Sequence, residues 1–168
     1  MINPQANQRI ARLFWSVFLS VIVGLILMLV QLPQSVFYFW PDWIALLVIY
    51  WALTEPERFG PWIAFIIGTL LEVVFVRKFG VLGFGLASIA FIVNSTNQQL
   101  RAMSLWQQTI LVGIFVGLFK VLTGWLYGLV ADFTITSEYW YSIIGGMLVW
   151  PFMTILLNEL RRIARLQK

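Results

Sequence analysis

The sequence contains no cysteine and no histidine, and only 11% of its 168 residues are charged. Without cysteine there is no disulfide framework, no thiolate nucleophile and no cysteine-based metal site. Without histidine the chain lacks the commonest general base and the commonest metal ligand of proteins. We therefore expect no catalytic residues, no metal and no cofactor, and the composition favours a non-enzymatic protein.

The shortage of charge has a second consequence, because a soluble domain usually has about 25% charged residues. Hydrophobic residues make up 61% of the chain, and the mean hydropathy is +0.88. This composition excludes a soluble enzyme domain and a disordered protein, and it indicates an integral membrane protein. The net charge of +4 is dispersed around apolar segments. That pattern is typical of membrane topology rather than of a nucleic-acid-binding face, so no nucleic acid partner is expected.

Six apolar segments are candidates for membrane-spanning helices, since the bilayer core takes roughly 20 residues per helix. They comprise residues 13–32, 36–53, 61–76, 79–93, 105–131 and 139–158. The second is short from residue 41 onward, and residues 36–40 are expected to supply its outer end. We interpret residues 1–168 as a single domain, a compact all-α bundle of six transmembrane helices.

Local signals mark several helix boundaries. Asp42 is placed to cap the second helix, and Pro61 fits the first turn of the third. Ser104 and Gln107 form a capping-box pattern at the start of the fifth helix. Pro151 lies inside the sixth helix and predicts a kink there.

The basic residues predict the topology, because cytoplasmic loops carry an excess of lysine and arginine. Six spans place both termini on one side, which would hold Arg9, Arg12, Arg58, Arg101, Arg161, Arg162, Arg165 and Lys168. The opposite side would hold Asp132, Glu138 and two cations, Arg77 and Lys78. The asymmetry favours cytoplasmic termini, although two cations in the turn between spans three and four are unusual for an outer turn.

Two charges, Glu72 and Lys120, fall within the predicted spans, where each costs roughly 2.5–3.5 kcal/mol and needs a partner. Both continue stripes of small residues, which let helix backbones approach closely. These helix-packing residues are Ala64, Gly68, Gly113, Gly117, Gly124 and Gly128. Both charges come to roughly 17–22 Å from the inner end at about 1.5 Å per residue. We therefore predict an intramembrane Glu72–Lys120 ion pair, which would fix helix register, act in transport or proton relay, or contact a membrane partner.

Five short motifs follow one another in an order that resembles the rod-shape-determining protein MreD family of bacterial inner membranes. They are Trp40-Pro41-Asp42-Trp43, Gly68-Thr69-Leu70-Leu71-Glu72, Leu82-Gly83, Leu105-Trp106-Gln107-Gln108 and Leu148-Val149-Trp150-Pro151. The resemblance covers essentially the whole chain. One departure is the turn from Val76 to Phe79, where the family often has small polar residues.

The resemblance implies a multi-pass, non-enzymatic subunit of the cell-elongation machinery in the bacterial inner membrane. Such a protein scaffolds lateral peptidoglycan synthesis with MreC, and directly or indirectly with MreB, RodA and a class B penicillin-binding protein, among membrane lipids. The motif residues that become candidates for partner contacts are Trp40, Pro41, Asp42, Trp106, Gln107, Gln108, Trp150 and Pro151.

The family is also similar in fold to the substrate-binding subunits of energy-coupling-factor transporters. That similarity keeps a small-molecule-binding transporter subunit as the alternative function. A transporter needs several convergent polar groups or broken helices near the midplane, whereas the sequence shows one candidate pair. The scaffold is therefore the favoured function.

Overall fold

The computed structural model describes residues 4–30, 33, 38–130 and 137–166 of the chain. These residues form seven α-helices and contain no strand, so the predicted all-α class is confirmed for the described part of the chain. The helices are α1 (Pro4–Leu29), α2 (Trp43–Thr54), α3 (Pro61–Val74), α4 (Val81–Ser95), α5 (Asn97–Ala102), α6 (Leu105–Val130) and α7 (Tyr141–Leu166). A 3₁₀ turn at Ser137–Trp140 precedes α7. Each predicted span overlaps one long helix, and the short α5 was not predicted.

Helix α2 lies at the centre of the bundle. Every residue from Ile44 to Leu53 is buried, and α1, α4, α5, α6 and α7 all pack against α2. The sequence explains this position, because a helix that is apolar on all sides has no face to present to water and is buried. The predicted outer extension of this span is not helical at residues 38–42, and residues 36–37 lie outside the described residues.

Helices α3 and α4 form a tight hairpin. Pro61 stands in the first turn of α3, after the N-cap residue Gly60, which confirms the predicted start. The two backbones approach most closely at Gly68, where an added Cβ would lie 2.5 Å from the Cα of Gly83. Only glycine, which has no side chain, permits that approach, so Gly68 allows the two helices to pack closely.

The turn between α3 and α4 contains two left-handed residues. Val76 has φ 50° and Gly80 has φ 91°. The Arg77 N–H donates to the Glu72 carbonyl at 2.9 Å, which closes the end of α3 in the manner of a Schellman motif. A β-branched residue at positive φ is strained, and Val76 is 92% exposed. Contacts of the Val76 side chain therefore do not offset the strain of its backbone.

Two helices of the described residues are long and apolar enough by themselves to cross a membrane, Leu105–Leu129 within α6 and Tyr141–Arg162 within α7. Pro151 lies inside α7, which continues to Leu166. The other apolar helices are shorter, namely Trp15–Leu29, Trp43–Thr54, Pro61–Val74 and Val81–Ser95. The number of membrane crossings therefore stays a prediction from the apolar pattern.

The bundle has two ends, which we name by the acidic residues that flank α2. The Asp42 end holds the start of α2, the α3–α4 turn, the end of α6 and the start of α7. The Glu55 end holds the end of α2, the start of α3, α5, the start of α6 and the later turns of α7. The arginines whose side chains are described divide accordingly, with Arg77 at the Asp42 end and Arg58, Arg101, Arg161 and Arg162 at the Glu55 end.

Candidate functional site

A buried cation on α6 forms the centre of a polar network at the Asp42 end. Lys120 is 5% exposed, and its Nζ lies 3.0 Å from Oδ2 of Asp42. The same Nζ lies 3.9 Å from the ring centroid of Tyr139, in a cation–π arrangement. Both contacts attract the ammonium group, because each places negative charge or π-electron density beside it.

Asp42 joins three helices through its carboxylate. Besides Lys120 of α6, the carboxylate accepts a hydrogen bond from the Ser142 hydroxyl of α7 at 3.2 Å. Asp42 occupies the N-cap position of α2 but makes no side-chain capping bond. The predicted cap is therefore wrong, because the carboxylate is directed to the lysine instead of to the amides of its own helix.

The motif residues before Asp42 hold this corner against α1. The Trp40 indole N–H donates to the carbonyl of Leu27 at 3.0 Å, and the Trp40 ring packs edge-to-face on Trp43. Pro41 is buried, and its carbonyl accepts from the Trp43 N–H at 2.9 Å. The Trp40–Asp42 motif thus links α1, α2, α6 and α7, and its described contacts are intramolecular.

Tyr139 also belongs to the network around Lys120. Its hydroxyl donates to the carbonyl of Lys120 at 3.2 Å and lies 3.3 Å from the Thr123 hydroxyl. Thr123 in turn donates to the carbonyl of Phe119 at 2.7 Å. Sequence analysis placed Tyr139 only at a helix boundary. No signal in the sequence related Tyr139 to Lys120, because the two residues are 19 apart in the chain and only the fold brings the ring to the ammonium.

Glu72 does not pair with Lys120, and this prediction is corrected. The Glu72 side chain is fully buried and accepts a hydrogen bond from the Gly80 N–H at 2.6 Å and another from the Leu82 N–H. Gly80 is the N-cap residue of α4. The carboxylate of α3 therefore caps the neighbouring helix, where amides have no intrahelical acceptor and the helix dipole favours an anion.

The α3–α4 turn also places an arginine in the network. The Arg77 guanidinium lies 5.8 Å from the ring centroid of Phe75 and interacts with the hydroxyl of Tyr127 on α6. Arg77, whose place in a predicted outer turn the topology rule did not explain, thus has partners nearby. Arg77 therefore lies at the same end of the bundle as Lys120, near Tyr127 of α6.

The glycine stripe predicted for the fifth span has unequal packing. An added Cβ at Gly113 would lie 2.6 Å from the Met147 sulfur, whereas one at Gly117 would lie 3.6 Å from Ile143. An added Cβ at Gly128 would meet nothing within 4 Å, so this glycine does not mediate close packing among the described residues. Gly124 is buried.

On α3 the predicted small-residue face is buried at Ala64, which is 0% exposed, and closely packed at Gly68. The tightest contact of all involves a residue that sequence analysis did not select. A Cβ at Gly145 of α7 would lie 1.7 Å from the carbonyl oxygen of Phe39. Adjacent Gly145 and Gly146 near the start of α7 were the signal for that approach.

The remaining motif residues divide into exposed and buried groups. Trp106 is 80% exposed, whereas Trp150 is fully buried and its indole N–H has no hydrogen-bond acceptor among the described residues. Gln107 accepts from the Ser104 N–H at 3.1 Å, which confirms that half of the capping box. Gln108 donates to the carbonyls of Leu100 and Met103 at 3.0 and 3.3 Å, and so holds α5 to α6.

We call the contacts of Asp42 with Lys120 and Ser142, together with the contact of Lys120 with Tyr139, the clamp. The two buried charges in the described part of the chain, Lys120 and Glu72, each have partners within the chain. Among the described residues there is no group of three or more histidine, cysteine, aspartate or glutamate side chains that could hold a metal ion. The clamp instead fixes the start of α2 between α6 and α7.

Comparison with known proteins places this arrangement in a family. The family model described as rod shape-determining protein MreD matches residues 9–160. A curated relative, the rod shape-determining protein MreD of Haemophilus influenzae, is 26% identical over 158 residues, which cover 90% of this chain and 94% of the relative. No solved structure matches the chain.

Proposed function

Because the chain belongs to the rod shape-determining protein MreD family, as its sequence motifs predicted, we propose that it is a multi-pass subunit that scaffolds lateral peptidoglycan synthesis in a bacterial inner membrane. A role in rod shape determination and a membrane location follow from family membership. The scaffolding role, the six spans and the cytoplasmic termini are the proposed refinement. The match over residues 9–160 carries this proposal, because it includes all five motifs.

The internal contacts of the two buried charges support a non-enzymatic scaffold. Lys120 is paired with Asp42, and Glu72 caps α4, so both intramembrane charges serve internal packing. The family is defined by shape determination and not by a catalysed reaction. We infer that the clamp makes a rigid platform for other membrane proteins.

The proposed partners are MreC and, directly or indirectly, MreB, RodA and a class B penicillin-binding protein. Large apolar side chains are exposed along the outside of the bundle, among them Trp62 at 82%, Trp106 at 80% and Phe152 at 75%. Such side chains suit contact with lipid tails and partner helices. The alternative, a transporter subunit, has less support because Glu72 and Lys120 do not converge on a shared site.

Depletion in a rod-shaped host tests the function. We expect round cells, rescue by the wild-type chain, and co-purification of MreC with that chain from mild detergent. Gly128→Ala, at a position where an added Cβ would meet nothing within 4 Å, serves as the control and should rescue fully. Normal rods after complete depletion, in a host without a second copy, would contradict the proposal.

Topology is tested separately with reporter fusions. A fusion at either terminus should read cytoplasmic, and one inserted between α6 and α7 should read external, because the basic residues concentrate at the Glu55 end. A cytoplasmic signal from the α6–α7 insertion would overturn the six-span arrangement without affecting the family assignment.

A further inference from the structure

A polar cleft of about 550 Å³ opens at the Glu55 end. Its walls come from α2, the segment after α2, α5, α6 and α7, and the polar lining residues are Tyr50, Thr54, Glu55, Glu57, Arg101, Gln108, Thr154, Asn158 and Arg161. The cleft exists because α2 ends at Thr54 while α7 continues to Leu166. Its volume falls in the range of small-molecule sites, about 300–1,000 Å³.

Hydrogen bonds hold the inner part of the cleft in place. The Tyr50 hydroxyl donates to Oδ1 of Asn158 at 2.8 Å, which joins α2 to α7. Arg101 donates through Nε to the carbonyl of Leu53 at 2.8 Å and through Nη2 to that of Thr54. These bonds satisfy the last carbonyls of α2 and leave the other terminal nitrogen of the guanidinium for the cleft.

The charged groups of the lining are balanced. Arg161 forms an ion pair with Glu55 across the cleft. Arg101 and Glu57 are exposed, and no ion pair of the described residues engages either. Two guanidinium groups and two carboxylates in one cleft match a ligand that carries both signs of charge, since a purely anionic or cationic ligand would face repulsion from half of them.

We propose that this cleft binds a zwitterionic amino-phosphate group of the phosphoethanolamine type. Guanidinium groups recognise phosphate oxygens in paired geometry, and a primary ammonium donates three hydrogen bonds that carboxylates accept. The group would come either from a phosphatidylethanolamine headgroup or from free phosphoethanolamine.

The position of the cleft favours the lipid as the source. The cleft lies where α2 ends and α6 begins, and beside the end of the apolar stretch Tyr141–Arg162 of α7, at the level that lipid headgroups occupy around a membrane bundle. Leu105, 44% exposed, lines the mouth, and the exposed Trp106 follows it. An apolar edge beside a charged cleft suits a molecule with a polar head and an apolar tail.

Native mass spectrometry of the full chain tests the proposal, with nanodiscs that contain equal amounts of phosphatidylethanolamine, phosphatidylcholine and phosphatidylglycerol with matched acyl chains. We expect phosphatidylethanolamine to be retained most, because phosphatidylcholine has no ammonium hydrogens and phosphatidylglycerol has no ammonium. Glu57→Gln should reduce this retention about fivefold, the effect of losing one partly exposed ion pair.

Glu159→Gln is the matched control. Glu159 is an exposed acid of α7 that faces Arg162 and does not line the cleft, so its loss should leave lipid retention unchanged. Equal retention of the three lipids, preference for phosphatidylglycerol, or equal effects of Glu57→Gln and Glu159→Gln would overturn the proposal. Cell shape is not measured, so the result is independent of the scaffolding role.

Free phosphoethanolamine, added to protein in nanodiscs of phosphatidylcholine alone, distinguishes the two sources. A rise in melting temperature that is smaller for Glu57→Gln than for the wild-type chain would support the site with a soluble ligand. Retention of phosphatidylethanolamine that millimolar phosphoethanolamine does not displace would support the site with a lipid ligand.

Discussion

The Asp42–Lys120 ion pair gives the sharpest test of the clamp. The two charges are 3.0 Å apart, and the side chains differ in burial, 7% exposed for Lys120 and 26% for Asp42. We expect Asp42→Asn to destabilise the protein more than Lys120→Met does. The first change leaves a buried ammonium without its anion, whereas the second leaves a carboxylate that water can reach and that Ser142 still bonds.

The magnitude follows from the geometry. At 3.0 Å and an effective dielectric constant of about 20, the direct attraction is roughly 5 kcal/mol. Desolvation of the lysine and the partial exposure of Asp42 offset much of this attraction. We therefore expect losses of about 3 kcal/mol for Asp42→Asn and about 2 kcal/mol for Lys120→Met. The double variant should lose about 3 kcal/mol, which corresponds to a coupling energy near 2 kcal/mol.

The assay is a double-mutant cycle on equilibrium unfolding in mixed micelles of dodecyl maltoside and SDS. A matched cycle with Glu72→Gln and Lys120→Met is the control, because these residues have different partners and their losses should add within about 0.5 kcal/mol. Coupling below 0.5 kcal/mol between Asp42 and Lys120 would refute the clamp. Strong coupling between Glu72 and Lys120 would restore the pairing predicted from sequence.

Three further predictions concern the α3–α4 hairpin and use the same unfolding assay. Val76→Gly should stabilise the protein by about 0.5–1 kcal/mol, since relief of a left-handed β-branched residue outweighs the entropy of glycine; unchanged or lower stability would argue against strain there. Gly68→Ala should lower the free energy of unfolding by about 1–3 kcal/mol, because its Cβ would meet the backbone of Gly83. Gly128→Ala, with open space around the added Cβ, is the control and should be neutral or slightly stabilising. Equal effects of the two changes would refute the close approach. Glu72→Gln should cost about 2 kcal/mol through loss of two charge-assisted hydrogen bonds at the start of α4, and a change below 0.5 kcal/mol would show that the carboxylate does not cap that helix.

Periodicity and composition were sufficient for the helices, because they depend on local chain properties. The apolar segment 36–53 predicted a helix, which the structure contains from Trp43 to Thr54, and Pro61 and Gln107 marked helix starts that it also contains. The order of short motifs was also enough to identify the family. Each of these inferences uses neighbours in the chain, whose relation the sequence specifies directly.

The partners of the buried charges depended on the tertiary structure. Residue counting placed Glu72 and Lys120 at equal depth, but a count locates only the Cα atom. The long lysine side chain reaches Asp42, which lies just before α2 and was not counted among the intramembrane charges. Glu72 lies near the end of α3, where the turn brings the free amides of α4 within reach.

The cleft at the Glu55 end likewise depends on the tertiary structure. Tyr50, Arg101 and Asn158 come from three helices that are distant in sequence, and only the packing of those helices brings them to one site. Nothing local in the sequence relates the acids after α2 to the arginines of α5 and α7. Composition and the apolar pattern therefore determined which segments form apolar helices, whereas the burial of α2, the directions of long side chains and the meeting of distant helix ends were decided by the fold alone.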